Sequence, residues 1–352
     1  ATQPTEMSFS VKNLGSGLEY NGNTLNSLFA QRRNILSPSF WRLVLDIVKF
    51  NKLCKAHIEA DKDTESLTLI DFIKSHKLSD TFTHNYILPM CAAIWSTSQE
   101  QSANFPLSFF LKFFNNHGLL NITNRPQWHT LIGGSNQYVQ PLTESYKERI
   151  KLNSAVSSVQ ATATGYKVTS NGETQEYTQV VFACHSEEAL KMLDLDSFED
   201  TKRNTLTEVL GAIPYSLNDV VLHTDSSILP KRKLAWASWN YLISGKDDDT
   251  SSPASLTYDM NILQRLDPAL TGDTTFCVTL NNTRAIDPDT ILGSYRYAHP
   301  QFSPQMVAAQ QKRSLICGQD GLHFCGAYWY NGFHEDGVRS ALDVAERFGV
   351  SL

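Results

Sequence analysis

The residues best placed to do chemistry lie at the end of the chain, in LHFCGAYWYNGFHEDGVRSALDVAERF, from Leu322 to Phe348. Their order predicts a strand, a glycine-bearing loop and a helix. Leu322-His323-Phe324-Cys325 is a short apolar run. Gly326 and Gly332 bracket a loop that carries Tyr328, Trp329, Tyr330 and Phe333. Beyond it, Val338, Ala341, Leu342, Ala345 and Phe348 recur at helical spacing and predict one buried apolar face. Glu335 and Asp336 stand where that helix should start, and Gly349 follows its last apolar residue. The N–H groups and dipole of a helix start favour negative charge, so an electron-rich ligand suits this position. Gly337 removes a side chain where a flat ring could press against the backbone. The same pattern also fits a plain helix that covers a sheet, with an ordinary acidic first turn.

The elements that must position this stretch are drawn from a chain of 352 residues, long enough for two lobes. Apolar residues make up 41% and charged residues 19%, which suits a globular core. A net charge of −6 and the lack of a basic run argue against nucleic acid as the main partner. The longest apolar run, near Tyr86 to Trp95, contains Pro89 and falls far short of the ~20 residues a membrane span needs. Six scattered cysteines without a CxxC pair predict buried reduced thiols and a cytoplasmic setting.

Along the chain, residues 7–11 and 18–20 read as strands around a turn at Gly15-Ser16-Gly17. Ser37-Pro38 starts a helix carrying Phe40, Trp41, Val44, Ile47, Val48 and Leu53. Further helices are expected at 69–76, 79–95 and 106–115. Phe105, Phe109, Phe110, Phe113 and Phe114 make this block aromatic, which suits either a helical core or the lining of a greasy cavity. Gly133-Gly134 ends an apolar run and opens a short helix, and paired glycines allow close backbone approach to a ligand or strand. Gly133-Gly134-Ser135 is not a GxSxG nucleophile elbow. Residues 150–152, 155–159, 166–170 and 175–177 read as strands, with an Asn171-Gly172 hairpin turn. The run 180–184 reads as a central parallel strand, followed by a helix over 187–193. A second, mostly antiparallel sheet is expected from 216–223, 234–242, 255–258 and 275–280, with Trp239 and Tyr241 on one strand face and Trp236 on the other. Lys246 to Ser252 reads as a solvated loop tip, with metal binding by its aspartates the less favoured reading.

This order of features resembles the flavin-containing amine oxidase superfamily, and within it the bacterial branch of predicted NAD/FAD-binding oxidoreductases. The resemblance runs over essentially the whole chain. It is carried by MSFSV, LFAQRRN, GGSNQYV, ACHS, LHTD, AWASWNY and, most specifically, YNGFHEDGVRSAL at residues 330–342. It implies a two-lobed α/β fold with FAD. Residues 126–205 and 316–352 would be segments of an FAD-binding, Rossmann-like lobe. Residues 1–125 would be a mostly helical part of the substrate lobe, and 206–315 its antiparallel sheet. Gly133 and Gly134 would lie in the cofactor lobe, Val156 would place its backbone near the adenine, and the strand ending at Cys184 would run under the adenosine half. Gly326, Gly332, Glu335, Asp336, Gly337 and Val338 would form the loop and helix start at the isoalloxazine ring, with the N–H near Val338 facing its C2 carbonyl. Tyr330 and Phe333 would flank the ring, and His334 is the candidate acid–base group beside it. No metal site is expected. The GxGxxG phosphate loop of the family would precede Ala1, so the resemblance implies a chain lacking its first βαβ unit of roughly 30 residues. The segment matching a flavin-side lysine, residues 217–220, holds no lysine.

The leading expectation is an FAD-dependent oxidoreductase that moves hydride from an apolar or amine-like small molecule to the flavin. The alternatives are a non-catalytic flavin-fold binding module and a desaturase- or isomerase-like flavoprotein acting on a lipid or polyene. A Ser135 hydrolase is disfavoured.

Overall fold

The computed structural model describes residues 1–60, 67–244 and 250–351. The aspartates of the 246–252 loop lie outside the described residues. The chain forms two compact units, Ala1–Leu142 with Leu217–His299, and Thr143–Ser216 with Pro300–Leu352. Both mix helices with sheet, the α/β class expected.

The first unit is built on a seven-stranded sheet. Its order is Ile291–Pro300, Tyr215–His223, Cys277–Leu280, Ser255–Asp259, Trp239–Ile243, Phe9–Asn13, Leu18–Asn21. Trp239–Ile243 runs parallel to Phe9–Asn13, while its other neighbour is antiparallel. One face is apolar: Tyr241 and Leu256 bury against Ala92 and Ala93, with Phe9, Trp239 and Tyr258 around them. Thus the Trp239/Tyr241 face is largely core. The other face carries a buried polar row that hydrogen-bonds to itself. His223 Nε2 lies 2.7 Å from Thr279 Oγ1, which lies 2.8 Å from Thr257 Oγ1. Buried polar atoms are tolerable when paired in this way.

Two readings of this sheet change. Only Trp239–Ile243 of the expected 234–242 strand is extended; Lys233–Ala235 is a 3-10 turn, and Trp236 lies outside the strand. Side chains hold that backbone away from the ladder. Trp236 Nε1 donates to the Pro230 carbonyl at 2.7 Å, and Asn240 brackets Ala237 by accepting from its N–H and donating to its carbonyl. The edge strand Ile291–Pro300 is absent from the sequence reading, because its outward residues on both faces leave no clean alternation.

The helical block begins as its residues dictate. Ser37 Oγ accepts from Phe40 N–H at 3.3 Å, and Pro38 occupies the first turn of Pro38–Glu59. Inside, the Phe50 ring contacts Phe72, Phe82 and Phe110 at 5.2–5.9 Å, and Trp95 contacts Phe105 and Phe113. These rings fill a core rather than line a cavity.

Pro89 shapes the centre of the block. It has no N–H for the carbonyl of Asn85, and its ring disfavours the regular helical turn before it. The helix widens there into a π turn, Thr83–Ile87, with Leu88 N–H bonded to the Thr83 carbonyl. The orphaned Asn85 carbonyl accepts the Tyr20 hydroxyl at 2.6 Å. Tyr20 is 1% exposed, and burial pushes its phenol well above its ordinary pKa.

In the second unit, Val156–Thr162, Gly165–Ser170 and Glu173–Tyr177 form a three-stranded meander. Asn171 and Gly172 both adopt positive φ, 51° and 80°, as a tight hairpin turn requires. Val180–Phe182 pairs in parallel with Leu322–Phe324, the direction expected, but the strand is shorter than 180–184 and the two strands form a sheet of their own rather than the centre of a larger one. Residues 150–152 are not a strand; they are exposed and lead into a left-handed turn at Asn153, φ 53°.

The C-terminal helix, His334–Glu346, is turned differently from the face its apolar residues predict. Asp336, Ser340 and Val344 are its buried residues, whereas Val338 is 39% exposed and Ala341 faces solvent. Ser340 explains the rotation. Its Oγ accepts Gly326 N–H at 2.8 Å and donates to the Gly337 carbonyl at 2.8 Å, which draws a polar side chain inward.

A Tyr20→Phe variant should lose about 1 kcal/mol of unfolding free energy, because the partly buried Asn85 carbonyl loses its Tyr20 donor. Urea unfolding of the two proteins measures the difference. Equal midpoints and slopes would mean that the carbonyl finds another donor.

Candidate functional site

The loop and helix start at residues 325–338 form one hydrogen-bonded assembly within the second unit. Gly326 is tied to Ser340, as described. Gly332 N–H donates to the Ala327 carbonyl at 3.1 Å, and its φ of +90° suits glycine. The Phe302 ring stands 3.0 Å from where a Gly332 side chain would begin, so packing demands glycine here as well. Asp336 is spent on the helix cap: its Oδ2 accepts Phe333 N–H at 3.0 Å and its Oδ1 takes a 3.4 Å contact from Asn331 Nδ2.

Gly337 differs. A methyl placed there would meet only Ala327, at 3.9–4.0 Å, an ordinary contact distance. Gly337 N–H makes the first bond of the helical ladder, to the Phe333 carbonyl at 3.1 Å. The N–H expected to face a ligand, near Val338, therefore lies inside the ladder. The positive end of the helix is at the residues before Gly337. Glu335 and His334 are exposed there, and Phe333 is half-buried.

Behind the loop stands a group the sequence reading missed. Gln310 Nε2 donates to the carbonyls of Tyr328 and Tyr330, at 2.8 and 2.7 Å. Arg313 donates to Asp343 Oδ2 at 2.5 Å, to the Phe324 carbonyl at 3.0 Å and to the Ser340 carbonyl at 2.8 Å. Its guanidinium also lies 5.4 Å from the Trp329 ring centroid. Tyr330 donates its hydroxyl to Asp343 at 2.6 Å, and Arg339 covers its ring at 4.2 Å. Burial, and then the Asp343 bond, push the Tyr330 phenol up. Burial alone would raise the Asp343 carboxyl, but hydrogen bonds from Tyr330 and Arg313 and the charge of both arginines hold it below its usual range. Tyr330 thus has a clamping hydroxyl rather than a loose one. In the sequence, Gln310 and Arg313 look like the polar end of a surface helix, with no spacing that ties them to the distant loop.

Burial raises the Cys184 thiol, with Cys325 adding to the rise, and Cys184 in turn lies close enough to Tyr328 to help raise its phenol. Val156 opens the first strand of the meander, apart from this assembly. Gly133 and Gly134 belong to the first unit; their φ values of 79° and 84° account for both glycines, and nothing stands within 4 Å of a Gly134 side chain.

A strand–loop–helix with a parallel strand pair, and a large mixed sheet in the first unit, define a mixed α/β chain. The family model of flavin containing amine oxidoreductases matches residues 21–261, and the chain belongs to that family. Its cofactor class is a flavin. Among solved structures, cyclohexylamine oxidase from Brevibacterium oxydans superposes with a TM-score of 0.59 at 11% identity, over 99% of this chain and 83% of that one. The CLA-producing fatty acid isomerase from P. acnes gives 0.63 at 11% identity, over 99% and 81%. Putrescine oxidase bound to putrescine gives 0.58 at 13% identity, over 99% and 83%. At these identities the likeness establishes the fold. A sequence comparison with curated proteins finds no match.

The clamp yields a pH prediction. Because Asp343 is held below its ordinary pKa, its stabilisation is present above the unfolded carboxylate pKa and is lost as pH falls through the lower folded value. Asp343→Asn should cost about 1 kcal/mol near neutrality, a modest figure because Asp343 is partly exposed. The gap from the parent should close as the pH drops below about 4. Denaturant unfolding across that range checks it; a gap independent of pH would assign the loss to packing.

Proposed function

We propose that the protein is an FAD-dependent oxidoreductase that removes a hydride from a small apolar or amine-like molecule. Family membership supports the flavin, and Gly337 is the observation that supports the site. Glycine within a helix costs roughly 0.5–1 kcal/mol relative to alanine, yet no neighbour in the chain requires it at this position. In this reading the bare backbone at Gly337 receives the flat face of the isoalloxazine. Val338 covers it with an exposed apolar side chain, and the helix start at Glu335 and Asp336 presents partial positive charge to its carbonyl edge. Gly326 and Gly332 set the loop beneath, Tyr330 and Phe333 flank it, and Cys184 and Val156 belong to the adenosine half. His334, at the first helical position, is the candidate for holding or releasing a proton beside the ring. The residues present therefore fit a planar, electron-rich cofactor. A bound flavin would supply the two-electron chemistry; the chain's own residues bind, orient and polarise it. The substrate lobe segments, 1–125 and 206–315, and the flavin lobe segments, 126–205 and 316–352, remain part of this reading.

Titration of the full chain with FAD, followed by the shift of the flavin absorbance bands, tests the proposal. Saturable binding is expected, together with bleaching of those bands when an amine or apolar substrate is added without oxygen. Gly337→Ala should raise the unfolding free energy of the cofactor-free protein by about 0.5–1 kcal/mol. Gly337→Val should weaken FAD binding at least about tenfold (~1.4 kcal/mol) while the protein stays folded. Absence of any FAD binding would overturn the cofactor assignment, and unchanged affinity in a folded Gly337→Val protein would misplace the site. Binding without bleaching by any substrate would favour a non-catalytic module.

A further inference from the structure

We infer that the surface formed by residues 25–52 docks on an anionic phospholipid bilayer. This stands independently of the flavin reading. The surface comprises the short helix Leu25–Leu28, the 3-10 turn Arg32–Leu36 and the first half of Pro38–Glu59. It exposes Leu25 by 78%, Leu36 by 86% and Leu45 by 61%, together with Ile35 and Trp41. Fully burying one such leucine is worth about 1.5–3 kcal/mol, so a cluster of them left in water is an interaction surface in search of an apolar phase.

The exposed side chains are braced from behind. Trp41 Nε1 donates to the Ile35 carbonyl at 2.8 Å, and the Trp41 ring packs on Phe29 at 5.3 Å. Arg32 donates to the Phe29 carbonyl at 2.7 Å and to Asn26 Oδ1 at 2.6 Å, which fastens the Leu25–Leu28 helix to the turn. The side chains are therefore presented outward by a fixed backbone. On the long helix Trp41 and Leu45 lie one turn apart, with Lys49 and Lys52 continuing the same exposed stripe.

Charge selects the partner. No Asp or Glu occurs between Glu19 and Asp46, while Arg32, Arg33 and Arg42 do, all exposed. Lys49, Lys52 and Lys55 follow, against Asp46 alone, and Asp46 is buried and bonded to Arg42. In a chain of net charge −6 this is a concentrated positive, apolar and tryptophan-bearing surface. That combination matches the interface of a membrane with anionic headgroups: apolar side chains enter the acyl boundary, Trp sits at headgroup level, and cations meet the phosphates. No helix among the described residues is long and apolar enough to cross a membrane, so the contact would be peripheral.

A cleft opens at the same place. It encloses ≈ 470 Å³, and Arg33, Leu36, Ser37 and Phe40 line it. Through Ser16, Thr81 and Asn85 it shares its wall with a neighbouring cleft of ≈ 600 Å³. A docked surface would thus set these openings against the headgroup layer.

The test is co-sedimentation of the full chain with phosphatidylcholine vesicles, with and without phosphatidylglycerol. Binding is expected only with phosphatidylglycerol and should weaken as salt is raised. Arg32→Gln and Arg33→Gln should each weaken it about fivefold. Leu36→Asp with Leu45→Asp should weaken it at least about tenfold, with unchanged circular dichroism because both sites are exposed. No binding to either vesicle, or full binding by the Leu36→Asp/Leu45→Asp protein, would overturn the proposal. Self-association abolished by these substitutions, without vesicle binding, would overturn it in favour of a second copy of the chain.

Discussion

The first unit depends on a hydrogen bond that a proline makes necessary. Pro89 cannot donate to the carbonyl of Asn85, and a partly buried carbonyl gains from another donor. Tyr20, from the edge strand Leu18–Asn21, reaches the helical block and supplies that donor at 2.6 Å. The bond joins the sheet edge to the helices at a point where the π turn has swung Asn85 out of helical register. The Asn85 side chain in turn accepts from Asn13 Nδ2 at 2.8 Å, so that one residue is held by two strands. The two clefts meet at Asn85. A wider helical turn is a frequent companion of functional sites, and here its cause is explicit.

The second unit solves a similar problem with a cation. The loop from Gly326 to Phe333 has few ladder bonds of its own, so its carbonyls must be satisfied from elsewhere. Gln310 takes two of them, and Arg313 ties the preceding strand to the C-terminal helix while its charge is balanced by Asp343. With Ser340 also turned inward, the helix is oriented by polar contacts. Its buried side is then occupied by Asp336, Ser340 and Val344, and the apolar Val338 is displaced outward beside the bare backbone of Gly337. The geometry that supports a flavin site follows from the clamp behind it.

Much of this was legible in the sequence where a signal is local. Ser37-Pro38, Asn171-Gly172 and the final strand, loop and helix each carry their own turn or cap chemistry, and each appears where that chemistry puts it. What could not be read depends on partners distant in sequence. Arg313 meets Asp343 across 30 residues, and Gln310 reaches the Tyr328 carbonyl across 18. The periodicity of residues 338–348 misled because it counts apolar side chains and ignores a serine with two good hydrogen bonds inside. The glycines and the apolar spacing located the loop and helix start, yet they gave no hint of the guanidinium that holds them.

The same logic gives meaning to the apolar residues left outside. A core leucine says little, since burial is its ordinary fate. An exposed one on a backbone locked from behind cannot relieve its own hydration by a small rotation of the element. Val338 is locked out by Ser340 and Arg313, and the Ile35–Trp41 corner by the indole bond and the Asn26–Arg32 fork. Each can gain the hydrophobic free energy only from something brought to it. Beside Val338 the backbone is bare at glycine and the helix end is positive, which suits a flat electron-rich ring. Around Leu36 and Leu45 the surroundings are arginine and lysine over a broad convex helix, which suits an extended anionic surface. The two outward apolar groups thus call for different partners because their polar neighbours differ, not because the apolar side chains do.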